Sequence, residues 1–454
     1  MTMTEVANEE NLRRAFDQVA SNDGAPGPDK QSVKEVRERL DATLRVLKRE
    51  LLEGTYQPGL IRRVWIPKAG GGQRGLGIPN VVDRVVQQAV LQVLSPHYDP
   101  SFHGSSHGFR PGRSCHTAIA EAREHLEEGF GWVVDLDLEK FFDRVNHDRL
   151  MSRLEQRVKD PKLLNLIRQM LTAKVVMPEG VVVSTGEGTP QGGPLSPLLS
   201  NIVLDELDGE LERRGHRFVR YADDCNIYVR SERSGKRVMA SVVRFIERKL
   251  RLKVNAGKSA VARPQDRHFV GFRLRRKPKY GGLEVNLSKR SLDRIYARIR
   301  ELTPRNWGRQ LRSGILELRT YLLGWIQFFR ICTGDVVHTL TEIDAHIRRR
   351  LRAILLKQWK RRRTIVRRLA KLKVKASTAS RTVYGANRSI WRLSHTPVID
   401  QAINVKYFAE RGLPSLAGMW KALKPRLDIA PVQLNLALGQ PAEEPDVRST
   451  SPVL

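Results

Sequence analysis

The sequence is poor in cysteine, with only Cys115, Cys225 and Cys332 among 454 residues. Their number is odd, their spacing is wide, and no C-x-x-C pair occurs. This pattern excludes a disulfide framework and argues against a structural zinc site. We therefore expect a reduced, intracellular protein.

Long apolar runs are also missing, and none approaches the length of a membrane-spanning helix. The N-terminal residues Met1-Thr2-Met3-Thr4-Glu5 provide neither the basic nor the apolar region of a secretion signal. These absences exclude a membrane span and indicate no export. We expect no membrane partner.

Acidic residues are scarce: 49 Asp and Glu face 80 Lys and Arg, which gives a formal charge of +31. Between Asp344 and Asp400 there is no acidic residue at all. A basic surface of one sign repels itself unless a polyanion neutralises it, so the sequence predicts nucleic-acid binding. The cations that we single out in this region are Arg348, Arg349, Arg361, Arg362 and Arg363.

Two adjacent carboxylates, Asp223 and Asp224, lie between the apolar runs Phe218-Val219 and Ile227-Tyr228-Val229. The pattern predicts a strand, a tight turn and a second strand. A solvated turn is one interpretation, because Asp is a common turn residue. The other is half of a divalent-metal site, because neighbouring carboxylates repel each other without a cation.

A third carboxylate is available in the stretch Trp132 to Asp143, which begins as a strand of high β-propensity. Asp135 and Asp137 both belong to it. Residues two apart in a strand share a face, so the spacing alone does not choose between them.

Two loops carry cations. The predicted hairpin of residues 61–79 has Lys68 and Arg74 near its glycine-rich tip, where they suit a triphosphate. Exposed cations without a specific role are the alternative. The loop of residues 101–113 combines basic, aromatic and glycine residues, which favours nucleic-acid contact through Arg110 and Arg113.

A stretch rich in glycine and proline, residues 186–201, precedes a helix predicted over residues 202–214. Glycines before a helix let backbone amides approach a ligand closely. The stretch is not a P-loop, because the Gly-Lys-Ser/Thr end is missing. Together, the carboxylates, the cations and this loop fit nucleotidyl transfer with two Mg²⁺ ions, for which Mn²⁺ can substitute.

The motifs Tyr221-Ala222-Asp223-Asp224, Asp137 to Asp143 and Thr189 to Leu198 together resemble the reverse transcriptases of group II introns. The resemblance implies an α+β right-hand polymerase, with fingers and an antiparallel palm sheet followed by an all-α thumb and a small basic C-terminal domain. The implied regions are an N-terminal extension with the start of the fingers (1–80), fingers and palm (81–285), a thumb or maturase domain (286–375), a basic DNA-binding segment (376–426) and a disordered tail (427–454).

The resemblance also implies roles for single residues. Asp137, Asp223 and Asp224 match the catalytic carboxylates, and with Leu138 they form the implied metal-binding set. The implied nucleotide contacts are Lys68 and Arg74 on the triphosphate, Phe142 beneath the sugar, Gln191 and Gly192 on the incoming nucleotide, and Lys258 near the pyrophosphate.

The implied function is RNA-directed DNA synthesis during retrohoming, together with maturase assistance to splicing. Its partners would be intron RNA, an RNA template with a DNA primer, target DNA and dNTPs. Because no H-N-H endonuclease with paired cysteines follows, the sequence resembles the bacterial class C type, which we expect in the cytoplasm or nucleoid, primed by an existing DNA 3′ end. Alternatives are a splicing-only maturase with an inactive palm, a retron or diversity-generating reverse transcriptase, and an RNA-dependent RNA polymerase.

Overall fold

The computed structural model describes residues 1–423, except 68–71, 185, 190–191, 277–281, 305, 307 and 386–388. Two compact units divide the chain between Val270 and Gly271. The predicted tail, residues 427–454, lies outside the described residues.

The first unit combines helices with short strands. Its helices are α1 (Met3–Val6), α2 (Glu9–Ser21), α3 (Val33–Glu38), α4 (Leu40–Glu53), α5 (Val81–Tyr98), α6 (Cys115–Glu127), α7 (His147–Arg157), α8 (Pro161–Leu171), α9 (Ser196–Arg213) and α10 (Glu232–Phe245). Its strands are β1 (Ile61–Pro67), β2 (Gln73–Ile78), β3 (Trp132–Leu136), β4 (Val175–Val176), β5 (Val182–Val183), β6 (Arg217–Tyr221), β7 (Asp224–Val229) and β8 (Ala260–Ala262).

These strands form two sheets. The fingers sheet has the order β2-β1-β4-β5, with β1 and β4 parallel. The palm sheet has the order β6-β7-β3-β8 and is antiparallel throughout. The predicted α+β fold with an antiparallel palm sheet is therefore confirmed.

The core of the first unit follows from apolar periodicity. Strand β3 buries Val133, Val134 and Leu136, and α10 packs against β3 and β8. Helix α9 buries Leu204, Leu207 and Leu211 at helical spacing. Because α9 and α10 pack on the strands, the palm sheet provides a rigid support at its strand ends.

Three features differ from the sequence predictions. Helix α9 begins at Ser196, six residues before the predicted start, with a proline in its first turn as helix starts favour. Strands β4 and β8 were not predicted. They contain two and three residues, too few for a periodic pattern to reveal them.

The second unit begins with a hairpin of β9 (Phe272–Arg276) and β10 (Leu283–Leu287). The hairpin belongs to this unit, although we predicted residues up to 285 as palm. Helices follow: α11 (Lys289–Leu302), α12 (Leu311–Phe329), α13 (Val336–Gln358), α14 (Arg362–Lys371), α15 (Ala376–Tyr384), α16 (Ile390–Leu393), α17 (Pro397–Ala402), α18 (Val405–Ala409) and α19 (Leu416–Leu423).

Aromatic rings form the centre of the second unit. Trp325 lies 4.6 Å from Phe329, and Phe329 lies 5.2 Å from Phe272, measured between ring centroids. Trp325 and Phe329 are four residues apart on α12 and share one buried face. The same face of α12 also buries Tyr321, Leu322 and Ile326. Across the described part of the chain, no helix has both the length and the apolar composition needed to cross a bilayer.

One buried carboxylate connects two helices of the second unit. Asp344 on α13 accepts hydrogen bonds from the amides of Leu416 (2.9 Å) and Ala417 (3.2 Å) and from the Ser415 hydroxyl (2.7 Å). It satisfies amides at the start of α19 that have no partner within that helix.

We predict that Asp344→Ala loosens α19 by about 2 kcal/mol, because the buried amides lose their acceptor. Hydrogen exchange should then become roughly 30-fold faster in the first turn of α19. Asp293→Ala, at an exposed site on α11, is the control and should leave the rates unchanged. Equal exchange in both variants would contradict the role of Asp344.

Candidate active site

The turn between β6 and β7 carries two of the predicted carboxylates. Tyr221 pairs with Asp224, so Ala222 and Asp223 alone connect the strands. Ala222 has a φ of +56°, in the left-handed region that residues other than glycine rarely adopt. The side chain of Asp223 is half-buried and that of Asp224 is exposed. The turn therefore holds both acids at the end of strands β6 and β7, and the left-handed conformation of Ala222 costs backbone strain.

The pairing register of β3 with β7 determines where the third carboxylate, Asp137, lies. Leu136 pairs with Cys225, so continuing the register by one residue brings Asp137 opposite Asp224. Opposed residues in an antiparallel pair share a face, with Cβ atoms about 4.5–5.5 Å apart. The structure thus brings Asp137 and the Asp223–Asp224 turn to the same sheet end.

Asp135 has a different environment from Asp137. Its carboxylate accepts a hydrogen bond from Arg267 Nε (2.6 Å), and its side chain is only 15% exposed. Burial raises the pKa of Asp135 despite this neighbouring arginine. Asp137 is 29% exposed, and its nearest cation is the Lys258 ammonium, at 3.5 Å and 62% exposed. Of the two acids that spacing left open, Asp137 is therefore the more exposed, while Asp135 is bonded to a guanidinium.

A short turn, residues 255–259, fixes the backbone of Asp137. The Asp137 amide donates to Ser259 Oγ (3.0 Å), and the Asn255 amide donates to the Asp137 carbonyl (2.8 Å). The same turn carries Lys258. Neither Ser259 nor Arg267 was singled out in the sequence, because nothing local marks contacts with residues more than 120 positions away.

Leu138 has an apolar side chain, so only its carbonyl oxygen can bind a metal. Residues 137–139 are hydrogen-bonded to residues 253–255 through the Asp137 carbonyl and the Glu139 amide. Alternate residues of a strand direct their carbonyls to opposite edges, so the Leu138 carbonyl is directed toward β7. Its direction is consistent with the predicted role.

The carboxylates of Asp137 and the turn offer oxygen ligands to a divalent ion. Among the described residues, no group of three His, Cys, Asp or Glu side chains is arranged to hold a metal by itself. Mg²⁺, however, takes one or two carboxylates and completes its shell with water and substrate phosphates. Oxygen donors from Asp137 and the turn, with a cationic ammonium already beside Asp137, fit an ion of this kind.

The glycine-rich stretch lies between the two sheets of the first unit. The Thr189 amide donates to the Phe142 carbonyl (2.6 Å), and Phe142 itself is buried. Gly192 has a φ of +123°, and a Cβ atom there would lie 2.4 Å from the Gly77 carbonyl of β2. The stretch therefore joins Phe142 to the fingers sheet. Gln191 lies outside the described residues.

Lys68 and Arg74 are the two cations predicted to bind a triphosphate. Lys68 lies outside the described residues. Arg74 is on β2, opposite Ile66 of β1, and is partly exposed. It lies on the same strand as Gly77, the residue that Gly192 contacts.

Arg110 does not match its predicted role in nucleic-acid contact. Its guanidinium is almost fully buried and donates to the Asp99 carboxylate (2.8 Å) and to the carbonyls of Asp99, His103 and Ser106. Four of its five N–H groups are thus used inside the protein, and it stabilises its own loop. Arg113 is partly exposed and donates to the Gly104 carbonyl.

The basic residues of the second unit are more accessible. Arg348 and Arg349 on α13 and Arg362 on α14 are half-buried, whereas Arg361 and Arg363 are exposed. Burial and the neighbouring Arg350, Arg349 and Arg300 lower the pKa of His346. Burial is the larger cause, and the three arginines add to it, so these cations lie close enough to His346 for their charges to act on it.

Comparison with known proteins gives two family matches. Residues 66–274 match the reverse transcriptase (RNA-dependent DNA polymerase) family. Residues 292–371 match the group II intron maturase-specific domain. The first match includes all three carboxylates, and the second includes all five arginines singled out between Asp344 and Asp400.

Individual relatives agree with these matches. Protein YkfC of Escherichia coli K12 is 34% identical over 300 residues, 57% of this chain and 78% of YkfC. The group II intron-encoded protein LtrA of Lactococcus lactis is 42% identical over 159 residues, 35% of this chain and 26% of LtrA. A putative COX1/OXI3 intron 2 protein of Saccharomyces cerevisiae is 36% identical over 171 residues, 38% of this chain and 20% of that protein. The chain thus matches only about a quarter of the length of the two intron proteins.

We predict that Gly192→Ala lowers the thermal midpoint of unfolding by roughly 4 °C or more, because the new Cβ strains the backbone and meets Gly77. Gly186→Ala is the matched control, since a Cβ at Gly186 meets nothing within 4 Å. Scanning calorimetry of both variants checks this. An unchanged midpoint for Gly192→Ala would contradict the close approach of the two sheets through this stretch.

Proposed function

The chain belongs to the group II intron-encoded reverse transcriptases and maturases, and we propose that it copies intron RNA into DNA during retrohoming and assists intron splicing. One observation carries the polymerase proposal: the register of β3 and β7 brings Asp137 opposite Asp224 at the end of the palm sheet. Three acids at one sheet end, together with a loop that contacts Phe142 and the fingers sheet, suit nucleotidyl transfer.

Divalent metal is a general requirement of this family, and we assign it as two Mg²⁺ ions, with Mn²⁺ as a substitute. Asp137, Asp223, Asp224 and the Leu138 carbonyl would hold them. Bound there, such ions lower the pKa of the attacking 3′ hydroxyl and stabilise the leaving pyrophosphate.

The other predicted site residues have distinct roles in this proposal. Lys258 is an exposed cation beside Asp137, and it would donate a proton to the leaving pyrophosphate. Phe142 is a buried aromatic residue five positions after Asp137, and in this proposal its ring lies beneath the nucleotide sugar, where it would exclude a 2′-hydroxyl and favour dNTPs. Arg74, Lys68, Gln191 and Gly192 would hold the triphosphate and the base.

The maturase role is assigned to the second unit. Exposed arginines in a stretch without acids suit the phosphates of intron RNA. Target DNA is assigned to residues 376–426, where Tyr384 and Trp391 are exposed and Arg411 lies 3.6 Å from the Tyr407 ring centroid. Priming from an existing DNA 3′ end, the class C type and a bacterial cytoplasmic location stay predictions from sequence.

The alternative functions have weaker support. A splicing-only maturase does not need the three acids that this palm retains. The maturase-specific match at residues 292–371 disfavours a retron or diversity-generating enzyme. Phe142 disfavours an RNA-dependent RNA polymerase, and equal use of ribonucleotides would reverse that judgement.

We predict that Asp223→Asn abolishes primer extension on an RNA template, by at least roughly 100-fold, because a metal ligand loses its charge. Intron RNA affinity should stay nearly unchanged. Asp148→Asn, at an exposed site on α7, is the control for loss of a surface carboxylate. Loss of both functions in Asp223→Asn would mean that the turn is structural, and assisted splicing by an inactive wild-type protein would favour the splicing-only maturase.

RNA affinity should fall steeply with salt, because many phosphates are contacted. In a plot of log affinity against log salt concentration, the double variant Arg361→Gln with Arg363→Gln should lose about 2 units of slope. Arg309→Gln, which removes an exposed arginine already paired with Glu317, should keep the wild-type slope. A flat wild-type profile would contradict the assignment of this surface to RNA.

A further inference from the structure

A buried arginine lies directly beneath the turn that carries the acids. Arg220 is the penultimate residue of β6, and its side chain is 0% exposed. Nε and Nη2 donate to the two carboxylate oxygens of Asp208 on α9, at 2.7 and 2.6 Å, and Asp208 is also 0% exposed. A charge buried this completely is tolerated only when it is paired and hydrogen-bonded.

The remaining donors of Arg220 reach three other residues. Nη1 donates to the Ala222 carbonyl (2.9 Å) and to Asn201 Oδ1 (3.0 Å), and Nη2 donates to Ser106 Oγ (2.7 Å). All five N–H groups of the guanidinium are therefore used. The one donated to Ala222 is bonded to the backbone immediately before Asp223.

The loop of residues 105–108 closes around the same turn. The Arg220 amide donates to the Ser105 carbonyl, and the His107 amide donates to the Arg220 carbonyl, both at 2.9 Å. Asn201 Nδ2 donates to the Gly108 carbonyl (2.9 Å), and a Cβ at Gly108 would lie 2.2 Å from the Ala222 nitrogen. The strained Ala222 is thus fixed by a hydrogen bond from Arg220 and by the close approach of this loop.

We propose that Arg220, held by Asp208, is a positioning residue that fixes the Ala222 carbonyl and thereby aims the Asp223 carboxylate at its metal. The inference rests on the proposed polymerase function, since only that function gives Asp223 a metal to bind. A core ion pair that merely stabilises α9 against β6 is the competing interpretation. It needs the bonds to Asp208 but not the bond to the turn.

Arg220→Lys separates the two interpretations. Lysine keeps a charge beside Asp208, but its single ammonium cannot also donate to Ala222, Asn201 and Ser106. We expect kcat for primer extension to fall roughly 10- to 100-fold, as misplacement of a reacting group does. KM for dNTPs and RNA affinity should change little, and the Mg²⁺ concentration for half-maximal activity should rise.

The stability control is Leu211→Ala, which removes a fully buried side chain from α9 three residues beyond Asp208. It should lower the unfolding midpoint without changing the Mg²⁺ midpoint. If Arg220→Lys is equally destabilised but keeps the wild-type kcat and Mg²⁺ midpoint, the positioning role is overturned. If Arg220→Lys does not fold, Ser106→Ala keeps the ion pair and should lower kcat about fivefold; wild-type activity in Ser106→Ala would overturn the role.

A second readout does not depend on turnover. Electron paramagnetic resonance can measure Mn²⁺ binding in the presence of RNA template, a dideoxy-terminated primer and dNTP. Mn²⁺ affinity should fall in Arg220→Lys and stay unchanged in Leu211→Ala. An inactive wild-type protein would refute the proposed function, while equal Mn²⁺ affinity in wild type and Arg220→Lys would refute the positioning role.

Discussion

Adjacent carboxylates repel each other, so a fold that needs Asp223 and Asp224 together must hold the backbone rigidly and keep positive charge near. Here the two-residue turn provides the geometry, at the cost of a left-handed Ala222. The guanidinium of Arg220 is bonded to that residue from inside the core. Helix α9, the turn and the loop at residues 105–108 are all bonded to this one guanidinium.

The protein uses its cations in two different ways. Arg220, Arg110 and Arg267 are directed inward, each against a carboxylate: Asp208, Asp99 and Asp135. Pairs of this kind fix backbone segments, and in Arg220 they leave no N–H group for a ligand. Lys258, Arg361 and Arg363 are exposed, and their charges face solvent. A high net charge therefore does not mean that each arginine binds nucleic acid.

The glycine-rich stretch has a structural role besides its proposed contact with the nucleotide. The carbonyl of Gly188 is bonded to His147 (2.6 Å), and Gly192 contacts β2 at a distance that excludes a side chain. One stretch thus links the helix after Phe142 to the fingers sheet. Small residues are required here because two backbones meet, independently of any ligand.

Local patterns in the sequence were sufficient for several features. Apolar runs of high β-propensity predicted β3 and the β6–β7 hairpin, and the scarcity of acids after Asp344 predicted a basic surface, because such runs and net charge can be read from neighbouring residues alone. Tertiary structure alone decided which residues meet. Arg267 donates a hydrogen bond to Asp135, although the two residues are 132 positions apart in the sequence. Ser259 accepts one from the amide of Asp137, which is 122 positions away, and Arg110 donates to carbonyls of its own loop. The partners of a buried charge are chosen by how distant segments pack, and no local pattern records that choice.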